Sequence, residues 1–189
     1  MTEYEKMLAG VWYFPGEEKL AALRRRAAEV CCAVNHLPPG REEERMELLR
    51  PLFGKTGAEF TITPDFHCDY GGNITLGEGF YANYNLVILD CAPVTFGDNV
   101  LVGPGCGFYT AIHPLDAAHR ATGEEKAAPI TVGSDVWFGG NVTVLPGVTI
   151  GDGAVIGAGS VVTRDIPPGV VAAGNPCRVL RPVDQEQAP

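Results

Sequence analysis

Across the C-terminal half of the chain a large apolar side chain returns at every sixth position: Val132, Phe138, Val144, Ile150, Ile156 and Val162. Glycine follows at 133, 139, 151 and 157, and the small or branched residues Val136, Val142, Val148, Ala154 and Ser160 stand two places before successive large ones. Phe96, Val102 and Phe108 form an earlier run, with Gly97 and Gly103, and Leu76, Ala82 and Ile88 a weaker one, with Gly77. A period of six suits a short straight segment that ends in a sharp corner, where glycine supplies backbone angles costly to other residues. Three such segments close a triangular coil, and each coil buries its apolar rungs only against its neighbours. A β-sandwich would instead alternate with period two between turns. The pattern therefore predicts a mainly β chain built as a parallel β-helix of hexapeptide repeats.

Two interruptions break the register. Ile88 and Phe96 are eight apart, which makes Asp90 to Pro93 an inserted bulge. Between Phe108 and Val132 runs a polar, charged stretch whose loop, 114–129, leaves the coil; a loop of that length in a compact repeat is usually functional. Ahead of the repeat the spacing is helical: EYEKMLAG, then Leu20, Leu23, Ala27, Val30 and Val34, then LPPG, then Met46, Leu49 and Phe53 on one side of a further helix. The reading divides the chain into a helical segment 1–55, a β-helix 56–182 and a tail 183–189. Open coil ends expose apolar rungs, so the helices are expected to cover one end and Ala172 to Arg181 to fold over the other.

Composition narrows the function. A net charge of -9 argues against a nucleic-acid binder. No run is apolar long enough to span a bilayer, and the acidic N-terminus lacks a signal core, so a cytoplasmic protein is expected. The six cysteines form no CxxC pair; they are expected to be buried thiols, without disulfides or a structural metal.

His113 falls in an outward slot at the root of the long loop, and histidine is the natural base near neutral pH. His36 is expected to cap a helix, His119 to be solvated and His67 to be structural. Trp137 precedes inward Phe138 and should face outward. Arg164, Arg178 and Arg181 cluster at the end of an otherwise acidic chain and suit phosphate groups. A zinc lyase on the same coil would need about three histidines round the metal, and His67, His113 and His119 lack the spacing for one strand. A non-catalytic scaffold is the other competing reading.

The strings MLAG, FHCDYGGNITLG, FYANYN, VILDCAPVTFGDN, YTAIHPLD, PITVGSDVWFGG and LPGVTIGDGAVIGAGSVVTRDIPPGVVAAGNPCRV span nearly the whole chain. They resemble the maltose/galactoside O-acetyltransferases of the hexapeptide-repeat superfamily, the CDYG and LDCAPVTFG strings being closer to the maltose type. The resemblance implies a left-handed coil, a homotrimer with sites between subunits, and acetyl-CoA as donor in a ternary complex without an acyl-enzyme. It implies His113 as base and Asn83 on the reacting hydroxyl. Asp69 would line the acceptor site, with Tyr81 and Trp137 as an aromatic wall. The Gly140 N–H would meet the oxyanion, Ala158 and Thr163 would flank the cofactor arm, and Arg164, Arg178 and Arg181 would hold its phosphates. The galactoside type carries an acid where this chain has Cys91, and another in the N-terminal segment near Phe14–Pro15, where here only Glu17 and Glu18 lie close by. The expected reaction is acetyl transfer to a hydroxyl of a small, maltose- or glucose-like sugar, the alternative acceptors being a xenobiotic, serine or an amine.

Overall fold

The six-residue period closes into stacked triangular coils. In the computed structural model, which describes residues 1–183, three parallel sheets form the sides of a β-helix. The first face stacks Phe60–Ile62, Phe80–Ala82, Leu101–Val102, Trp137–Phe138, Val155–Ile156 and Val170–Ala173. The second stacks Phe66–Cys68, Leu86–Leu89, Gly107–Tyr109, Thr143–Val144 and Val161–Val162, and the third Ile74–Thr75, Val94–Phe96, Ile130–Val132 and Thr149–Ile150. Beyond Val183 the expected tail lies outside the described residues.

Identical positions of the hexad fall opposite one another: Val102 pairs with Ala82 and Phe138, and Phe138 with Ile156. All the predicted inward residues are buried. Down the middle runs a column of rings, Phe80, Phe96, Phe108 and Phe138, with successive centroids 4.9, 4.9 and 5.2 Å apart. Tilted and edge-on pairs of this kind contribute roughly 0.5–1.5 kcal/mol each beyond burial.

The glycines after the large residues have a different cause from the one expected. Gly139 has no positive φ; a Cβ there would lie 2.6 Å from the Ala158 backbone nitrogen of the next coil. Close stacking of coils, not a left-handed backbone, demands glycine. Left-handed corners fall two residues later and are taken by residues such as Asn141, at φ 57°, a conformation asparagine tolerates well.

Three helices precede the coil: α1 (Glu3–Leu8), α2 (Glu18–Asn35) and α3 (Glu42–Leu49). Thr2 and Glu5 form a capping box on α1. Helix α2 buries Leu20, Ala27, Cys31 and Val34, and His36 caps its C-terminus as expected. Phe53 lies past the end of α3, yet packs edge-on against Phe60 and Phe66. The Asn35 amide donates to Phe66 O and accepts from Phe66 N, both at 2.9 Å, and so occupies the open edge of the first coil.

At the other end Ala172 and Cys177 are the residues of the expected covering segment that reach the core. Arg178–Pro182 does not cross the coil end; it extends the first face as an exposed antiparallel strand beside Val170–Ala173. The thiols are also less uniform than expected: Cys31, Cys91, Cys106 and Cys177 are buried, Cys68 is half-buried and Cys32 is exposed. Neighbours on a helix point about 100° apart, so burying Cys31 turns Cys32 outward. Among the described residues no helix is long and apolar enough to cross a membrane.

Candidate functional site

The site is built around an acid in the inserted bulge. Asp90 is fully buried. Its carboxylate accepts N–H groups from Tyr70 at 2.8 Å, Asp69 at 3.0 Å and Asn73 at 3.3 Å. Burial pushes the carboxyl up to about 6, against the pull of those N–H groups. The brace fixes the turn after Phe66–Cys68, so that Asp69 lines a cavity of about 380 Å³. The Cys91 thiol donates to Asp69 Oδ2 at 3.4 Å. Burial raises both the Cys91 thiol and the Asp69 carboxyl above their ordinary values.

The long excursion supplies the opposite wall. Ala111–Ile112 leaves the coil and pairs antiparallel with Lys126–Ala127, Ala111 opposite Ala127 and Ile112 opposite Lys126. One residue past that pairing on each segment, Glu125 Oε2 lies 3.8 Å from His113 Nε2. On its other edge Glu125 exchanges backbone hydrogen bonds with Tyr13, at 2.9 and 3.1 Å. The Tyr13 hydroxyl also donates to Glu125 Oε1. Burial, then that bond, raises the Tyr13 hydroxyl far above its ordinary range. Arg24 reaches over from α2, donating to the Tyr70 hydroxyl at 2.7 Å and to Pro15 O at 2.6 Å.

His113 is open to solvent, its side chain 61% exposed. It stands between this cavity and a second of about 290 Å³ that holds Trp12, Leu115 and His119. His119, on the short helix α4 (Ala117–Arg120), is not merely solvated. Its ring lies 4.7 Å from that of Trp12, and its Nε2 lies 3.0 Å from Glu124. His67 lines a separate hollow of about 430 Å³ with Cys32, Asn35 and His36. Among the described residues no three His, Cys, Asp or Glu side chains are placed to hold a metal ion.

None of the remaining predicted residues lines the cavity that holds His113 and Asp69. Tyr81 and Trp137 lie on the first face, and Asn83 and Gly140 follow its strands at the corner leading to the second. Asp69 follows a strand of the second face, at the corner beyond it, and His113 follows Ala111–Ile112, the strand that leaves the coil after Gly107–Tyr109 of that face. Trp137 faces outward, 54% exposed, in register with Leu101, which is 49% exposed, and with half-buried Tyr81 and Val155. Ala158 follows Val155–Ile156 on the Gly140 corner, and Thr163 and Arg164 follow Val161–Val162 on the His113 corner. Arg178 and Arg181 lie on the exposed C-terminal strand.

Gly140 differs from Gly139. A Cβ there would meet nothing nearer than 3.4 Å, so packing within the chain does not require glycine. The Gly139 and Asn141 N–H groups are spent on Ile156 O and Pro104 O, at 2.8 and 2.7 Å, whereas no hydrogen bond among the described residues uses the Gly140 N–H.

Sequence reasoning missed Glu125, Tyr13 and Arg24. No local spacing marks them; the first two meet His113 only through the ladder that folds the loop back on itself.

Comparisons with known proteins agree with this architecture. Residues 6–57 match the family model for the maltose acetyltransferase hexapeptide capping motif, and 129–164 match bacterial transferase hexapeptide repeats. A Staphylococcus aureus (strain MRSA252) protein, provisionally named an acetyltransferase, is 52% identical over 187 residues, covering 98% of this chain and 94% of its own. The structure of a maltose O-acetyltransferase from Clostridium difficile 630 superposes with a TM-score of 0.96 at 45% identity, over 98% of this chain and 99% of that one. A galactoside acetyltransferase in complex with coenzyme A superposes with a TM-score of 0.94 at 43% identity, over 97% of this chain and 92% of that one.

Proposed function

Because this chain belongs to the maltose/galactoside O-acetyltransferase family of hexapeptide-repeat acetyltransferases, we propose that it transfers acetyl from acetyl-CoA to a hydroxyl of a small, maltose- or glucose-like sugar. The observation that carries the reading is an exposed imidazole, His113, at the lip of a cavity that also holds the carboxylates of Asp69 and Glu125. Of these, the Asp69 carboxylate is suited to accept from sugar hydroxyls.

In this reading both substrates bind together. His113 takes the proton from the acceptor hydroxyl as its oxygen attacks the thioester carbonyl, a service worth roughly 10²–10⁴-fold. The carbonyl oxygen gains charge, and the free N–H of Gly140 suits it as a donor. The C–S bond then breaks, and the thiolate takes the proton back from the imidazolium. Asn83 orients the acceptor hydroxyl. Open space at Gly140 and the small side chains of Ala158 and Thr163 admit the cofactor arm, and Arg164, Arg178 and Arg181 meet its phosphates.

Those roles need residues from two corners of the coil, and assembly as a homotrimer with sites between subunits supplies them. The outward stripe of Leu101 and Trp137 supports such a contact, since large apolar groups on a strand face gain by being covered. Residues 1–55 serve as the cap and 56–182 as the catalytic coil. The free thiols suit the cytoplasm.

Free thiol release from acetyl-CoA, measured with maltose, glucose, a galactoside, serine and an amine, tests the assignment. Release with a sugar and an O-acetyl product by NMR is the expected result; release with serine or the amine alone overturns it.

A further inference from the structure

We infer that Glu125 is a positioning residue for His113, holding the imidazole at the cavity lip and balancing its charge while it carries the acceptor's proton. The inference rests on the reading of His113 as the base. Three observations support it. One residue beyond the pairing of Ile112 with Lys126, the two side chains meet, with Oε2 3.8 Å from Nε2. Glu125 is 9% exposed, and among the described residues His113 is its one ion-pair partner. A carboxylate so placed lacks a full counter-charge until the imidazole is protonated. Tyr13 occupies the other oxygen and grips the Glu125 backbone on both sides, which leaves Oε2 to face the ring.

At 3.8 Å the contact is too long for a hydrogen bond and becomes an ion pair only when His113 carries a proton. Its strength therefore depends on the proton that His113 gains and loses in each turnover. The acceptor's proton moves to the imidazole as the new C–O bond forms, and leaves with the thiolate as the C–S bond breaks. Glu125 stabilises the imidazolium between those events and touches neither substrate's reacting atoms.

The test is a double-substitution cycle read in kcat and KM with an acceptor the wild type uses. Glu125→Gln should lower kcat roughly 10- to 100-fold, part of the full general-base effect. The KM for acetyl-CoA should stay within about twofold. Glu125→Asp should restore part of the loss, and Tyr13→Phe should show a smaller one. The combined His113→Ala, Glu125→Gln protein should be no slower than His113→Ala alone, because Glu125 acts only through His113. Losses that multiply would mark an independent, structural role and overturn the inference. So would a Glu125→Gln protein with wild-type kcat beside an inactive His113→Ala. Activity retained in His113→Ala would instead overturn the base assignment itself.

Discussion

Tyr70 and Asp90 are joined by a backbone-to-side-chain hydrogen bond, the Tyr70 N–H donating to Asp90 Oδ1 at 2.8 Å, and the turn carrying Asp69 hangs on that buried acid. The carboxyl sits at about 6 in the fold against an ordinary 3.8. Between those values the folded chain binds more protons than the unfolded one. The stability Asp90 contributes is therefore complete below the lower value and lost as pH rises through the upper one, on the order of 3 kcal/mol. Denaturation midpoints of wild type and Asp90→Asn, compared from pH 4 to 7, should show the wild type losing ground as pH rises. Parallel curves would contradict the burial argument.

Gly139 and Gly140 are adjacent, yet should respond oppositely to alanine. At 139 the new methyl meets the Ala158 backbone at 2.6 Å; overpacking of this kind costs about 1–3 kcal/mol, and the melting temperature should fall. At 140 the nearest atom is 3.4 Å away, so folding should be unaffected while the KM for acetyl-CoA rises. Wild-type kinetics in Gly140→Ala would remove the cofactor arm from that corner.

Trp137 is 54% exposed in the single chain, where replacement by glutamate should change stability by no more than about 0.5 kcal/mol. If the stripe it shares with Leu101 joins subunits, Trp137→Glu should convert trimers to monomers in sedimentation and abolish transfer. A wild type that sediments as a monomer, or an intact trimer in the variant, would contradict the shared site.

The coil was readable because its cause is local: Val132 to Val162 repeat at a fixed interval, and burial follows that interval rung by rung. The face of α2 was readable for the same reason, whereas α3 buries Arg45 and Leu49 and ends before Phe53. His113 and Asp69 could be placed through motif resemblance, and the fold sets both on one cavity. Glu125 was invisible because its neighbour is set by a loop returning on itself, twelve residues after His113. Arg24 was equally hidden, since nothing in helical spacing says that it crosses to Tyr70. Cys32 was misread because composition alone cannot tell which of two adjacent thiols faces inward.

The most direct measurement pairs calorimetric binding of acetyl-CoA with transfer to sugar in His113→Ala. Binding should match wild type while transfer falls by roughly 10²–10⁴-fold, the usual worth of a general base. Wild-type turnover without the imidazole would contradict the catalytic account.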